Sequence, residues 1–103
     1  MIVEIEKSKK KHKRFRVILD NGNAYDFGLD TGKTYIDHHD ETKRLNYRKR
    51  HLGNETENKL INSLIPSPAL FSYYLLWGEY DDIMKNIINL NNLWSLSKIK
   101  TNK

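Results

Sequence analysis

The sequence predicts an α+β fold: a small N-terminal antiparallel sheet of about three strands, followed by three or four helices. Three observations predict it. Short β-branched and aromatic runs in the first 30 residues are separated by turn signals. Beyond residue 36, apolar residues recur at helical spacing. The chain has 103 residues, enough for one domain with a modest core. That single domain, 1–103, divides into a hairpin region (1–30), a helical region (36–94) and a frayed tail (95–103).

Ile2, Val3 and Ile5 alternate loosely with Glu4 and Glu6, which suits a first strand. The run KSKKKHKRFR at 7–16 is the densest basic segment. It reads as a loop around residues 8–12 entering a second strand, 14–19. Such lysines either guard a sheet edge against aggregation or form a wing that touches DNA. Asp20-Asn21-Gly22-Asn23 is a hairpin turn, with Asn-Gly tolerating positive φ at both centres. Ala24 to Phe27 makes the third strand, and Gly28 a bulge or stop.

The segment LDTGKT at 29–34 is a loop whose Gly32-Lys33-Thr34 looks like the tail of a phosphate-binding P-loop. The first glycine of that pattern is missing, since Phe27 occupies its place, and Tyr35-Ile36 reads as extended. Nucleotide hydrolysis is therefore rejected.

Residues 35–55 read as one short helix. Asp37 is its candidate N-cap, and Gly53 its end. Acids lie toward the start and bases toward the end, matching the helix dipole. Leu45 and Leu52 form a thin apolar seam by which so polar a helix would dock. Arg44, Tyr47, Arg48 and His51 lie on a neighbouring face, and Lys43, Lys49 and Arg50 cover the rest. Two readings of this face stand. It is a solvated face with internal ion pairs such as Asp40–Arg44 and Glu41–Arg44. Or it grips phosphate, because a guanidinium can make two parallel bonds to it.

Leu60, Ile61, Leu64 and Ile65 continue the helical spacing over 55–65 until Pro66. Ser67 is placed to cap the next helix, with Pro68 at its first position. ALFSYYLLW at 69–77 is apolar almost all round and predicts the buried central helix, ended by Gly78. Trp77 is expected in the core or an interface. Phe71, Tyr73, Tyr74, Trp77 and Tyr80 could form a stacking platform for bases, although at helical spacing such a cluster is more often core. Asp81 and Asp82 open the last helix, whose Ile83, Met84, Ile87, Ile88, Asn91 and Trp94 share one broad face.

Charge is uneven along the chain. Residues 1–51 hold 13 Lys/Arg and 8 Asp/Glu, and residues 52–103 hold 5 of each, so the first half carries the whole formal charge of +5. A polyanionic partner fits that asymmetry. Without cysteine, disulfides and thiolate zinc sites are excluded. No signal peptide is evident and no apolar run reaches the roughly 20 residues of a membrane span. His38, His39, Asp40, Asn46, His51 and Asn54 suggest a metal or nuclease set, but His38 and His51 would lie about 20 Å apart along one helix. No nucleophile motif is present. No catalytic residue, metal or cofactor is therefore expected. Lysine, asparagine and isoleucine make up 34 residues, and their A/T-rich codons point to an A/T-rich genome.

Four segments resemble a small family encoded mainly by nucleocytoplasmic large DNA viruses, the giant viruses of the mimivirus and marseillevirus kind. They are Tyr25-Asp26-Phe27-Gly28, Tyr35-Ile36-Asp37-His38-His39-Asp40, the block from Arg44 through Tyr47 to Arg50-His51, and the run from Leu70 to Gly78. The first three echo DFG, a Tyr with His-x-Asp, and Arg-x-x-Tyr-x-x-Arg-His. Residues 53–66 depart from the pattern, which there carries a tryptophan and a glycine-rich turn. The resemblance implies a viral protein and no particular activity.

The functional expectation is a non-enzymatic protein that binds DNA (or RNA) electrostatically and with weak sequence preference. It would be carried in the virion or located in the infected host cell, in cytoplasm or nucleus, not secreted, and associated with the genome or host chromatin. The expected contact residues are Lys9, Lys10, Lys11, Lys13, Arg14, Arg16, Lys43, Arg44, Tyr47, Arg48, Arg50 and His51. The alternative is a protein-interaction module or minor virion component acting as a homodimer through its aromatic helix. Merging of hairpin and helix bases into one face favours nucleic acid; internal pairing of the arginines favours a structural role.

Overall fold

A computed structural model describes the backbone of residues 1–101 and side chains through residue 97. Three strands, β1 (Ile2–Lys7), β2 (Lys13–Leu19) and β3 (Ala24–Leu29), form an antiparallel sheet in sequence order. Five α-helices follow: α1 (Tyr35–His38), α2 (Glu41–Leu52), α3 (Glu55–Asn62), α4 (Pro68–Phe71) and α5 (Ile83–Thr101). A π-helical turn, Ser72–Leu76, extends α4. The α+β architecture is the one the sequence predicts.

Alternation along β2 and β3 sends Val17, Leu19 and Phe27 into the core. Arg16 and Asp26 pair on the opposite face, directly across the two strands. In β1 the register shifts between Ile2 and Glu4, so Ile2 and Ile5 both face inward while Val3 is left exposed. The loose alternation of the first strand is thus the trace of a bulge. At the 20–23 turn only Gly22 takes positive φ (+88°), and its N–H donates to the Leu19 carbonyl. That is a three-residue loop with one left-handed glycine, in place of a turn with both centres at positive φ.

Gly28 does not stop β3. It lies within the strand at φ +77°, and a Cβ there would sit 2.9 Å from Leu76 Cδ1. The glycine lets the sheet touch the π turn. Gly28→Ala should therefore destabilise the fold by about 2 kcal/mol from backbone strain alone, read as a lower midpoint in urea with an unchanged slope.

The stretch read as one helix is two. Thr34 caps α1, and Asp37 reaches back from its third position to accept the Thr34 N–H at 2.8 Å, so Asp37 is not the N-cap. Tyr35 and Ile36 are helical, not extended. His39 then takes φ +56°, and Asp40 caps α2 by accepting the Lys43 N–H. His38 Nδ1 accepts the Asp40 N–H at 2.9 Å, which fixes the break.

Ser67 caps α4 with Pro68 at its first position, as predicted. Leu70, Phe71, Leu75 and Leu76 are fully buried and meet Val17, Phe27, Ile87 and Leu90. The apolar face of α5 is narrower than expected: Ile87 and Leu90 are buried, but Met84 and Ile88 are exposed. The helix runs on through Ser95 to Thr101, over most of the segment expected to fray; residues 102–103 lie outside the described residues. In the 55–65 segment only Ile61 is buried, and Leu64 leaves the helix at φ +54° with its carbonyl held by Trp94 Nε1.

Candidate nucleic-acid interface

The docking face of α2 is the reverse of the predicted one. Leu45 is 55% exposed, whereas Arg44 is 6% exposed. The cause is what α2 packs against. The chain leaves the π turn with its last carbonyls unpaired, at the negative end of a helical segment. Arg44 Nε donates to the Gly78 carbonyl at 2.6 Å, and Arg48 Nε to the Trp77 carbonyl at 2.8 Å. Arginine suits this position because one guanidinium can serve a carbonyl and a carboxylate together. Arg44 also reaches Glu41 at 2.8 Å and Glu79 at 3.4 Å; Arg48 reaches Glu79 at 3.5 Å. The Arg48 guanidinium lies 4.3 Å from the Tyr73 ring centroid. Burial lowers its proton affinity below the ordinary arginine range.

The loop receiving these arginines is set by Asn86 and Gly78. Asn86 is fully buried at the start of α5. Its Nδ2 donates to the Leu75 and Tyr80 carbonyls, and its Oδ1 accepts the Tyr80 N–H, at 2.8–2.9 Å. Gly78 passes so close that a Cβ would strike the Tyr74 carbonyl and the Asn86 amide. A polar residue on an apolar helix face was the available signal for Asn86. Gly78 was read only as a helix stop.

Two more of the expected phosphate contacts are internal. Arg14 makes two bonds to Asp37, at 2.7 and 2.6 Å. Arg16 makes two to Asp26, both at 3.2 Å. The Arg14 guanidinium holds the Asp37 carboxyl well below the usual carboxylate range, with the Thr34 N–H and hydroxyl adding to it. A carboxylate with a depressed folded pKa contributes stability above its unfolded pKa and loses it as pH falls. Melting temperature should therefore drop below about pH 4, the unfolded aspartate range. Asp37→Asn should flatten that acid limb in a pH series of thermal melts.

Rings of α1 and α2 form a column with Trp77, the residue just after the π turn. Tyr47 lies 4.3 Å from Trp77, nearly parallel at 7°, and 4.0 Å from His51. Two rings that close cannot share one face of Tyr47, so its faces are both covered. Trp77 continues to His38 at 5.4 Å and His38 to Tyr35 at 6.5 Å. Trp77 is half-buried, and Tyr47 is sequestered enough for burial to push its phenol up to about 12. Phe71 and Tyr73 are buried, so much of the predicted stacking platform is core.

Beside this column runs a groove of about 310 Å³, lined by Leu29, Lys33, Tyr47, Arg50, His51 and Trp77 among others. It shares Gly28, Leu29, Tyr47, His51 and Ser72 with a smaller hollow that Lys13 and Glu57 border. Lys13 comes from β2, Lys33 from the loop before α1, and Arg50 and His51 from α2. Glu57 is already engaged, its carboxylate 2.7 Å from His51 Nδ1. Among the described residues no carboxylate pairs with Lys13, Lys33 or Arg50. Lys9, Lys10, Lys11 and Lys43 are exposed on the surface. By contrast, the cleft of about 300 Å³ beside Trp94 is lined by no Lys or Arg among the described residues.

The break at His39 removes the one-helix spacing that separated His38 from His51. Their surroundings still differ: His38 faces Trp77, His39 is 3.3 Å from Asp81, and His51 contacts Glu57. Among the described residues no group of three or more His, Asp or Glu side chains could hold a metal ion. Nor is any helix among them long and apolar enough to cross a membrane.

Residues 3–51 match the model of a family described as a family of unknown function (DUF5754). The match runs from β1 to His51, so it includes Lys13, Lys33, Tyr47, Arg50 and His51 but not Trp77 or Gly78. No curated protein and no solved structure matches the chain. Over that stretch, somewhat less than half its length, the chain is similar to the family.

Proposed function

We propose that this chain is a non-enzymatic nucleic-acid-binding protein, holding phosphates through the groove of Lys33 and Arg50, the adjoining hollow of Lys13 and the lysines of the β1–β2 loop. One observation carries the reading: cations from strand, loop and helix line connected hollows, and among the described residues Lys13, Lys33 and Arg50 form no ion pair. The contact set differs from the expected one. Arg14, Arg16, Arg44 and Arg48 are withdrawn by internal bonds, and Lys33 is added. The resemblance to proteins of large DNA viruses makes the virion and the infected cell the proposed setting.

Affinity for a duplex of arbitrary sequence should fall linearly with salt on a log–log plot, by about 0.9 per phosphate neutralised. Lys33→Ala with Arg50→Ala should flatten that slope by about two units without lowering the melting temperature. Salt-independent binding, or none, refutes the reading.

A second copy of the chain is the competing partner. Met84 and Ile88, at 56% and 59% exposure, form an uncovered stripe on α5. Under this reading the stripe forms an isologous dimer interface, and a monomer in sedimentation at tens of micromolar rejects it.

A further inference from the structure

We propose that the groove takes a nucleoside phosphate presented as an unpaired residue of a strand, so that the protein prefers single strands to intact duplex. The inference rests on the nucleic-acid reading and deepens it. Three features of the groove support this choice of ligand.

The first is size. About 310 Å³ lies at the small end of ligand pockets. It suits one nucleotide. A duplex can lay backbone phosphates against the exposed Lys33 and Arg50, but a base held in the stack has to swing out to reach such a pocket. The second is mixed chemistry. The β1–β2 loop offers only charge and polar groups, whereas the groove joins Lys33 and Arg50 to an apolar rim, with Leu29 63% exposed and Leu76 beneath. A phosphate satisfies the cations, and a sugar and base satisfy the apolar rim. The third is the column. Tyr47 is covered on both faces, so it contributes an edge and cannot be the stacking plate. Base contact falls instead to Leu29 and the rim of Trp77, which tolerates any base and sets no sequence.

The test compares a labelled 12-nucleotide single strand, the same sequence as duplex, and adenosine monophosphate, by anisotropy and by amide shifts in an NMR titration. Single strand should bind about tenfold tighter than duplex, the scale of burying about two methylene groups' worth of apolar surface against Leu29. Amide shifts should gather at residues 28–34 and 47–51. Arg50→Ala and Lys33→Ala should each weaken single-strand binding more than duplex binding, and Arg50→Lys should restore part of it. Both side chains are exposed, so the variants should melt as wild type. Equal affinities with shifts confined to residues 8–13 overturn the proposal while leaving the nucleic-acid reading intact. No binding of either strand overturns both. Adenosine monophosphate binding more tightly than the strand overturns the strand-borne ligand.

Discussion

Asn86→Ala should lower stability by about 3–4 kcal/mol, since it strands the buried Leu75 carbonyl and the part-buried carbonyl and N–H of Tyr80, and each such group costs about 1–3 kcal/mol, the Tyr80 pair toward the low end. In a domain of this length that is roughly 12–25 °C of melting temperature. Asn86→Asp should do little better. It keeps the acceptor for the Tyr80 N–H but turns an acceptor oxygen toward the Leu75 and Tyr80 carbonyls, which have nothing to donate. A melt within a few degrees of wild type would show that water replaces the amide without loss. The effect reaches beyond local stability, because the loop that Asn86 holds presents the Trp77 and Gly78 carbonyls to α2. Losing the bracket should loosen α2, and the groove with it.

The sequence made the scaffold legible because its signals are local. Alternation in β2 and β3, the Ser67-Pro68 start of α4 and the apolar run through 70–76 each depend on neighbours within a few residues. The orientation of α2 was not legible, because it depends on an unpaired carbonyl array about 30 residues away. By apolar pattern alone the helix should dock through Leu45 and Leu52. Two carbonyls at the end of a helical segment outweigh that thin seam, since a buried carbonyl without a donor costs more than one exposed leucine gains. The same cause divides the basic residues. Arginines that find a carbonyl or carboxylate within the fold lie inward, and the expected set from Arg44 to His51 splits between the two sides of α2. Lys33 was missed for another reason. Rejecting the P-loop motif removed its most obvious role, while its place in the groove depends on the path of the loop between β3 and α1.

Arg44→Ala should cost about 2–3 kcal/mol, the worth of a charge-assisted hydrogen bond at a buried site, and should leave the affinity of the folded protein for nucleic acid unchanged. Most of that loss belongs to the Gly78 carbonyl. Glu41 and Glu79 are more than half exposed, and solvent reduces ion pairs to such groups to well under about 1 kcal/mol each. Arg44→Lys should recover less than half, because an ammonium cannot reach the carbonyl and both carboxylates in one plane. Adding Arg48→Ala should cost less than the sum of the single changes, since the two arginines share Glu79 and neighbouring carbonyls. Melting temperature and duplex affinity measured on one preparation, well below its melting point, separate the roles. An Arg44→Ala protein that melts as wild type but binds duplex more weakly, with a flatter salt slope, would place this guanidinium on phosphate after all. Early melting with unaltered affinity fixes it as the bond that turns the charged face of α2 inward, leaving Lys13, Lys33 and Arg50 outside to meet a partner.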